Sequence, residues 1–131
     1  MSHYLYLVRH GEQQDAEYGL PDGPLSPRGV RQAEAIATRL SGVPFSGSWH
    51  SPLERATATA RILTQRMPAL ESKPSALLMD CIPSGPTPTM PHALEAFFGS
   101  VTPEEIEAGE AQMTDAIAEW MVPTHEDQHD L

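Results

Sequence analysis

Three helix starts are written into this chain in the same way, as Ser26-Pro27, Ser51-Pro52 and Thr102-Pro103. Each puts a hydroxyl side chain at the N-cap and proline in the first turn, where a missing N–H costs nothing and φ is already helical. After Ser26-Pro27, Val30, Ala33, Ile36, Ala37 and Leu40 recur at helical spacing and predict an amphipathic helix over 27–40, ended by Gly42 and Pro44. After Ser51-Pro52 a helix is expected over 53–67, stopped by Pro68. Thr102-Pro103-Glu104-Glu105 reads as a capping box; Ile106, Met113, Ile117, Trp120 and Met121 form the apolar stripe of the helix it opens. Before or between these helices lie short apolar runs at 4–8, 45–50 and 76–79, which read as strands. Strand and helix alternate, so the expected architecture is α/β: three layers, α/β/α, around a mostly parallel sheet.

The chain has 131 residues, and a single domain over 1–131 is expected. Its one cysteine, Cys81, cannot form an intramolecular disulfide; a reducing, cytoplasmic setting is the expectation. No apolar run approaches the ~20 residues of a membrane helix, and no signal peptide is visible. Eight basic residues face 18 acidic ones, for a net charge of -10. That balance argues against nucleic-acid and anionic-membrane partners and makes each arginine more informative. The six histidines show no zinc-site spacing, so no metal is expected.

Chemistry-bearing residues fall at the ends of these elements. Arg9-His10-Gly11-Glu12 follows the first strand directly, and ligands of open α/β sheets bind beyond the carboxyl ends of strands. An arginine beside a histidine suits an anionic substrate better than a metal. Arg55 falls in the first turn of the second helix, an end that is already partly positive. An anion bound by both would explain it. Asp80 follows the run 76–79 as Arg9 and His10 follow theirs. Residues 81–91 hold four prolines and read as a stiff irregular loop.

Together these residues resemble the histidine phosphatase superfamily, the phosphoglycerate-mutase-like family. Arg9-His10-Gly11-Glu12 looks like its signature, Leu25-Ser26-Pro27-Arg28-Gly29 with Gln32-Ala33 like its first helix, and Ser51-Pro52-Leu53-Glu54-Arg55-Ala56 with Thr59-Ala60 like its second arginine motif. The stretch 77–88, with His92 beyond it, is similar to the mitochondrial serine/threonine phosphatase branch. The resemblance implies a phosphomonoesterase without cofactor or metal. His10 would be the nucleophile that becomes phosphohistidine, and Asp80, where the family has glutamate, the general acid. Arg9 and Arg55 would bind the phosphoryl oxygens, with Glu12 and His92 as candidate pocket residues. The implied substrate is a phosphorylated small molecule or a phosphoprotein.

The family places a second pocket histidine at the end of a late apolar strand. After Trp120 this chain offers only His125 and His129, and 124–131 looks like the lead-in to that strand. A sheet lacking its C-terminal strand and helix is therefore expected, with open edges that favour a homodimer. The alternative is a weakly active phosphate-binding module or pseudo-enzyme. A phosphoglycerate mutase is less favoured, because the long insertions of that branch are absent.

Overall fold

In the computed structural model, which describes residues 2–131, β1 (His3–Leu5), β2 (Phe45–His50), β3 (Ser72–Pro74) and β4 (Gln128–Asp130) form one sheet in the order β1-β4-β2-β3. All of its pairings are parallel, so the expected α/β class with a mostly parallel sheet holds. Helices α1 (Pro27–Leu40), α2 (Glu54–Gln65), α3 (Glu95–Gly99) and α4 (Pro103–Trp120) lie between the strands in the sequence. The chain divides into two compact units, the first made of residues up to Met79 with Pro123–Leu131, the second of Asp80–Val122.

In the first unit α1 begins as its sequence dictates. The Ser26 hydroxyl accepts the Gly29 N–H at 3.0 Å, and Pro27 occupies the first turn. Ala33 and Ala37 of α1 are buried with Leu25, Leu63 and Met67, and Val30, Leu40, Phe45 and Ile62 pack around them. Two alanines at i and i+4 share one helix face and let the neighbouring backbone come close.

Three elements differ from the sequence expectation. The strand predicted over 76–79 is instead a 3-10 turn, Ala76–Leu78, capped by the Ser75 hydroxyl on Leu77 N–H. The strand lies earlier, at Ser72–Pro74, where Trp49 pairs with Lys73. Its pairing ends once the Ser75 N–H reaches the His50 carbonyl, so the apolar run beyond it coils. The first strand is paired over His3–Leu5 rather than 4–8, because its partner β4 spans three residues.

The third difference is β4 itself. Residues 124–131 were expected to stop short of the strand beside the first; Gln128–Asp130 instead form it, between β1 and β2. The strand is polar, and its side chains find partners except at the buried Asp130 Oδ1, which has no hydrogen-bond partner among the described residues. Tyr4 stacks on His129 with centroids 4.8 Å apart, and the Tyr6 hydroxyl meets His129 Nδ1 at 3.1 Å. The Asp130 carboxylate, 3% exposed, takes His3 Nε2 at 2.8 Å and Gln128 Nε2 at 2.7 Å.

In the second unit the capping box of α4 is present in full: Thr102 Oγ1 accepts Glu105 N–H, and the Glu105 carboxylate accepts Thr102 N–H at 2.7 Å. Gly109 is the buried residue of this helix; a β-carbon there would stand 2.2 Å from the Ile82 carbonyl oxygen. The predicted apolar stripe is only partly covered. Ile106 and Trp120 are half-buried, while Met113, Ile117 and Met121 are exposed. Among the described residues, no helix is long and apolar enough to cross a membrane.

Candidate active site

His10 lies in the irregular segment beyond β1 with both ring nitrogens engaged, and the chemistry of its partners fixes the tautomer. Nδ1 lies 2.7 Å from the Gly11 carbonyl oxygen, which can only accept, so Nδ1 carries the proton. Nε2 lies 3.2 Å from Arg55 Nε, which can only donate, so Nε2 presents its lone pair. The ring thus presents its unprotonated nitrogen, Nε2, to a guanidinium.

Gly11 is buried and held from two sides. Its N–H donates to Thr59 Oγ1 at 3.0 Å, and Thr59 in turn donates to the Arg55 carbonyl at 2.8 Å. Its α-carbon packs on the first turn of α1, where a β-carbon would meet the Gly29 carbonyl oxygen at 2.4 Å. The turn after β1 can therefore lie against both α1 and α2 only because it is glycine.

Glu12 continues the turn and is bound to α1. Its N–H donates to Gln32 Oε1 at 2.9 Å, and its carboxylate accepts the Ser26 hydroxyl at 2.7 Å. A cavity of about 520 Å³ opens here, lined among others by Arg9, His10, Glu12, Gln32 and Thr59. Arg9 is exposed along its wall.

Arg55 is 6% exposed, at the first turn of α2. Its Nη1 donates to the Pro21 carbonyl at 2.8 Å, to Asp22 Oδ1 at 3.3 Å and to Gln13 Oε1 at 3.4 Å. The anion expected at this helix end is on the chain itself. Asp22 Oδ2 accepts Glu54 N–H at 2.7 Å, and Oδ1 accepts Arg55 N–H at 3.3 Å and Gly23 N–H at 2.9 Å. Burial alone would push the Asp22 carboxyl up, but these three N–H groups and the Arg55 guanidinium outweigh it and hold the carboxyl below its usual range.

This geometry corrects the expected cap of α2. Ser51 does not cap it; the N-cap is Leu53, without a side-chain bond, and the capping oxygens come from Asp22, more than thirty residues earlier. Asp22 is the site feature the sequence reading missed. The signal was present: a positive residue on a positive helix end demands an anion, and loop 13–24 holds a carboxylate between Pro21 and Gly23. That loop is closed at its base, where Gln13 bridges Leu25 and Gln14 N–H reaches the Pro24 carbonyl at 2.8 Å. Closure returns Pro21 and Asp22 to Arg55.

Two of the expected site residues, Asp80 and His92, belong to the second unit. Asp80 is exposed and opens the second unit; it follows a 3-10 turn and not a strand. His92 also belongs to the second unit, exposed, with Nδ1 2.6 Å from Glu95. His129 is held in β4 by Tyr4 and Tyr6.

The model of the histidine phosphatase superfamily, branch 1, matches residues 5–81, more than half of the chain. The chain belongs to this superfamily. The adenosylcobalamin/alpha-ribazole phosphatase of Escherichia coli K12 is 46% identical over 63 residues, 45% of this chain and 31% of that protein. The mouse mitochondrial serine/threonine-protein phosphatase PGAM5 is 30% identical over 91 residues, 68% of this chain and 32% of that protein. The chain thus spans about a third of the length of the curated relatives it matches. A solved structure from Escherichia coli K-12, a candidate alpha-ribazole-5'-P phosphatase, superposes with a TM-score of 0.67 at 28% identity, covering 96% of this chain and 71% of that one. The superfamily match begins at Leu5 and takes in Arg9, His10, Asp22, Arg55 and Thr59, which the geometry joins by hydrogen bonds or along one cavity wall.

Proposed function

We propose that this chain is a phosphatase that hydrolyses phosphomonoesters through a phosphohistidine on His10 Nε2. The observation that carries the reading is the fixed tautomer of His10: Nδ1–H is anchored on the Gly11 carbonyl and the Nε2 lone pair points outward from it. A nucleophile at phosphorus needs that lone pair aimed in line with the leaving oxygen, and the anchored ring provides the aim before substrate arrives.

In the proposed sequence the phosphoryl group enters against Arg9 and Arg55, and one of its oxygens replaces His10 as acceptor of the Arg55 Nε–H. The Nε2–P bond forms as the P–O bond to the leaving group breaks. The leaving oxygen takes a proton from Asp80, the acid that the family resemblance designates. Water then attacks phosphorus, gives its proton to the Asp80 carboxylate, and Nε2 departs with its electron pair. Guanidinium donors aimed at the equatorial oxygens supply the electrostatic stabilisation that phosphoryl transfer demands, so the scheme calls for no metal ion. The substrate class is a phosphorylated small molecule or a phosphoprotein, in keeping with relatives named for alpha-ribazole and for protein phosphatase activity.

The test is phosphate release from an aryl phosphate in the presence of EDTA, with His10→Ala as control. Release above the control supports the reading, as does acid-labile ³²P on wild-type protein quenched during turnover. Equal release from wild type and His10→Ala overturns it and leaves a phosphate-binding module.

A further inference from the structure

Two positive charges meet at the N-terminus of α2: the helix end and the buried Arg55 guanidinium. Left together they repel, and the guanidinium would turn away or draw in water. We infer that Asp22 is the positioning residue that aims Arg55 at His10. Its carboxylate takes two backbone N–H groups of α2 and the Nη1 edge of Arg55 at once, which leaves the Nε edge toward His10 Nε2. The Pro21 carbonyl and Gln13 Oε1 fix the same Nη1 edge but carry no charge, so Asp22 alone of these three can offset the two cations. Because Asp22 sits on loop 13–24, the aim of Arg55 and the closure of that loop are one equilibrium.

Asp22 also stands where an anion on the helix end would stand. It therefore tempers ground-state phosphate binding while it sets the alignment needed for reaction. Removing its charge should separate the two: alignment is lost, whereas the affinity for phosphate is kept or raised. A residue that merely stabilised the fold would lower both. This inference rests on His10 and Arg55 acting as proposed above, and the experiment carries one readout that needs no turnover.

The experiment compares full-chain wild type, Asp22→Asn and Arg55→Ala. With an aryl phosphate, Asp22→Asn should lower kcat roughly 10- to 100-fold while the inhibition constant of inorganic phosphate stays level or falls. In ¹⁵N-histidine-labelled protein, the His10 Nε2 resonance of Asp22→Asn should leave the wild-type position and move toward that of Arg55→Ala, where the donor is gone. If Asp22→Asn does not fold, Asp22→Ser serves, since a hydroxyl still accepts an α2 N–H without charge. A resonance that stays at the wild-type position in a folded variant overturns the inference, as does parallel weakening of kcat and phosphate affinity. Failure of the catalytic reading shows separately, as wild-type turnover equal to that of His10→Ala.

Discussion

Gly11 and Gly29 meet backbone to backbone. A β-carbon on Gly29 would stand 2.2 Å from the Glu12 carbonyl oxygen, and one on Gly11 would stand 2.4 Å from the Gly29 carbonyl oxygen. Gly29 lies inside α1, where alanine would ordinarily favour the helix by about 1 kcal/mol. Here the obstacle is backbone on both sides and cannot swing away. Gly29→Ala should therefore destabilise the protein by about 1–3 kcal/mol, the usual cost of overpacking, despite the better helix propensity. Gly42→Ala, with open space around the site, should stay within about 0.5 kcal/mol of wild type. Urea unfolding of the two variants side by side checks the contrast.

Thr59 makes a second prediction. Its hydroxyl joins Gly11 to α2, accepting the Gly11 N–H and donating to the Arg55 carbonyl. Thr59→Val keeps the shape and removes the oxygen, leaving the buried Gly11 N–H without its acceptor. The expected cost is about 1–3 kcal/mol, with a fall in phosphate release as the His10 turn loosens. Thr59→Ser keeps the oxygen and should retain most of both. Equal stability of the valine and serine variants would mean that the Gly11 amide finds another acceptor.

How much of this could be read from the sequence depends on how local the cause is. Helix α1 follows from its sequence with the bounds Pro27–Leu40 because its cap, its proline and its apolar period all lie within the segment. Strand β4 does not, because Gln128-His129-Asp130 has no apolar period. Its place beside β1 comes from partners far away in the chain, Tyr4, Tyr6 and His3. The run 76–79 reads as a strand from side chains alone; the Ser75 hydroxyl and the earlier pairing at Ser72–Pro74 decide otherwise. At the site, Arg9, His10 and Glu12 share one cavity wall and Arg55 reaches His10. Asp22 was hidden because a Pro-Asp-Gly turn explains itself locally, and only the arginine it meets reveals its other task.

The capping box of α4 offers a test within the second unit. Thr102 and Glu105 each satisfy an amide that the helix cannot. Thr102→Ala should cost about 1 kcal/mol. Hydrogen exchange should quicken at the first turn of α4, Glu104 to Ile106, and remain as in wild type at α1. Unchanged exchange at Glu105 would show that water replaces the cap without loss.

The last prediction concerns acid. Asp22 is held below its usual range in the folded chain, and in the unfolded chain it returns to about 3.9. Below that value the unfolded state binds a proton that the folded state resists, so falling pH favours unfolding. The stability Asp22 confers is therefore complete above about pH 5 and drains away as pH drops below about 4 toward the folded value. Other carboxylates titrate in the same window, so the informative quantity is the gap in unfolding midpoint between wild type and Asp22→Asn. At pH 7 wild type should be the more stable, and the gap should narrow steadily on the way to pH 3. A gap of constant size from pH 7 to pH 3 would mean that the carboxylate contributes its shape and not its charge. The demand that two cations at the head of α2 make for a negative partner would then have to be met by another group.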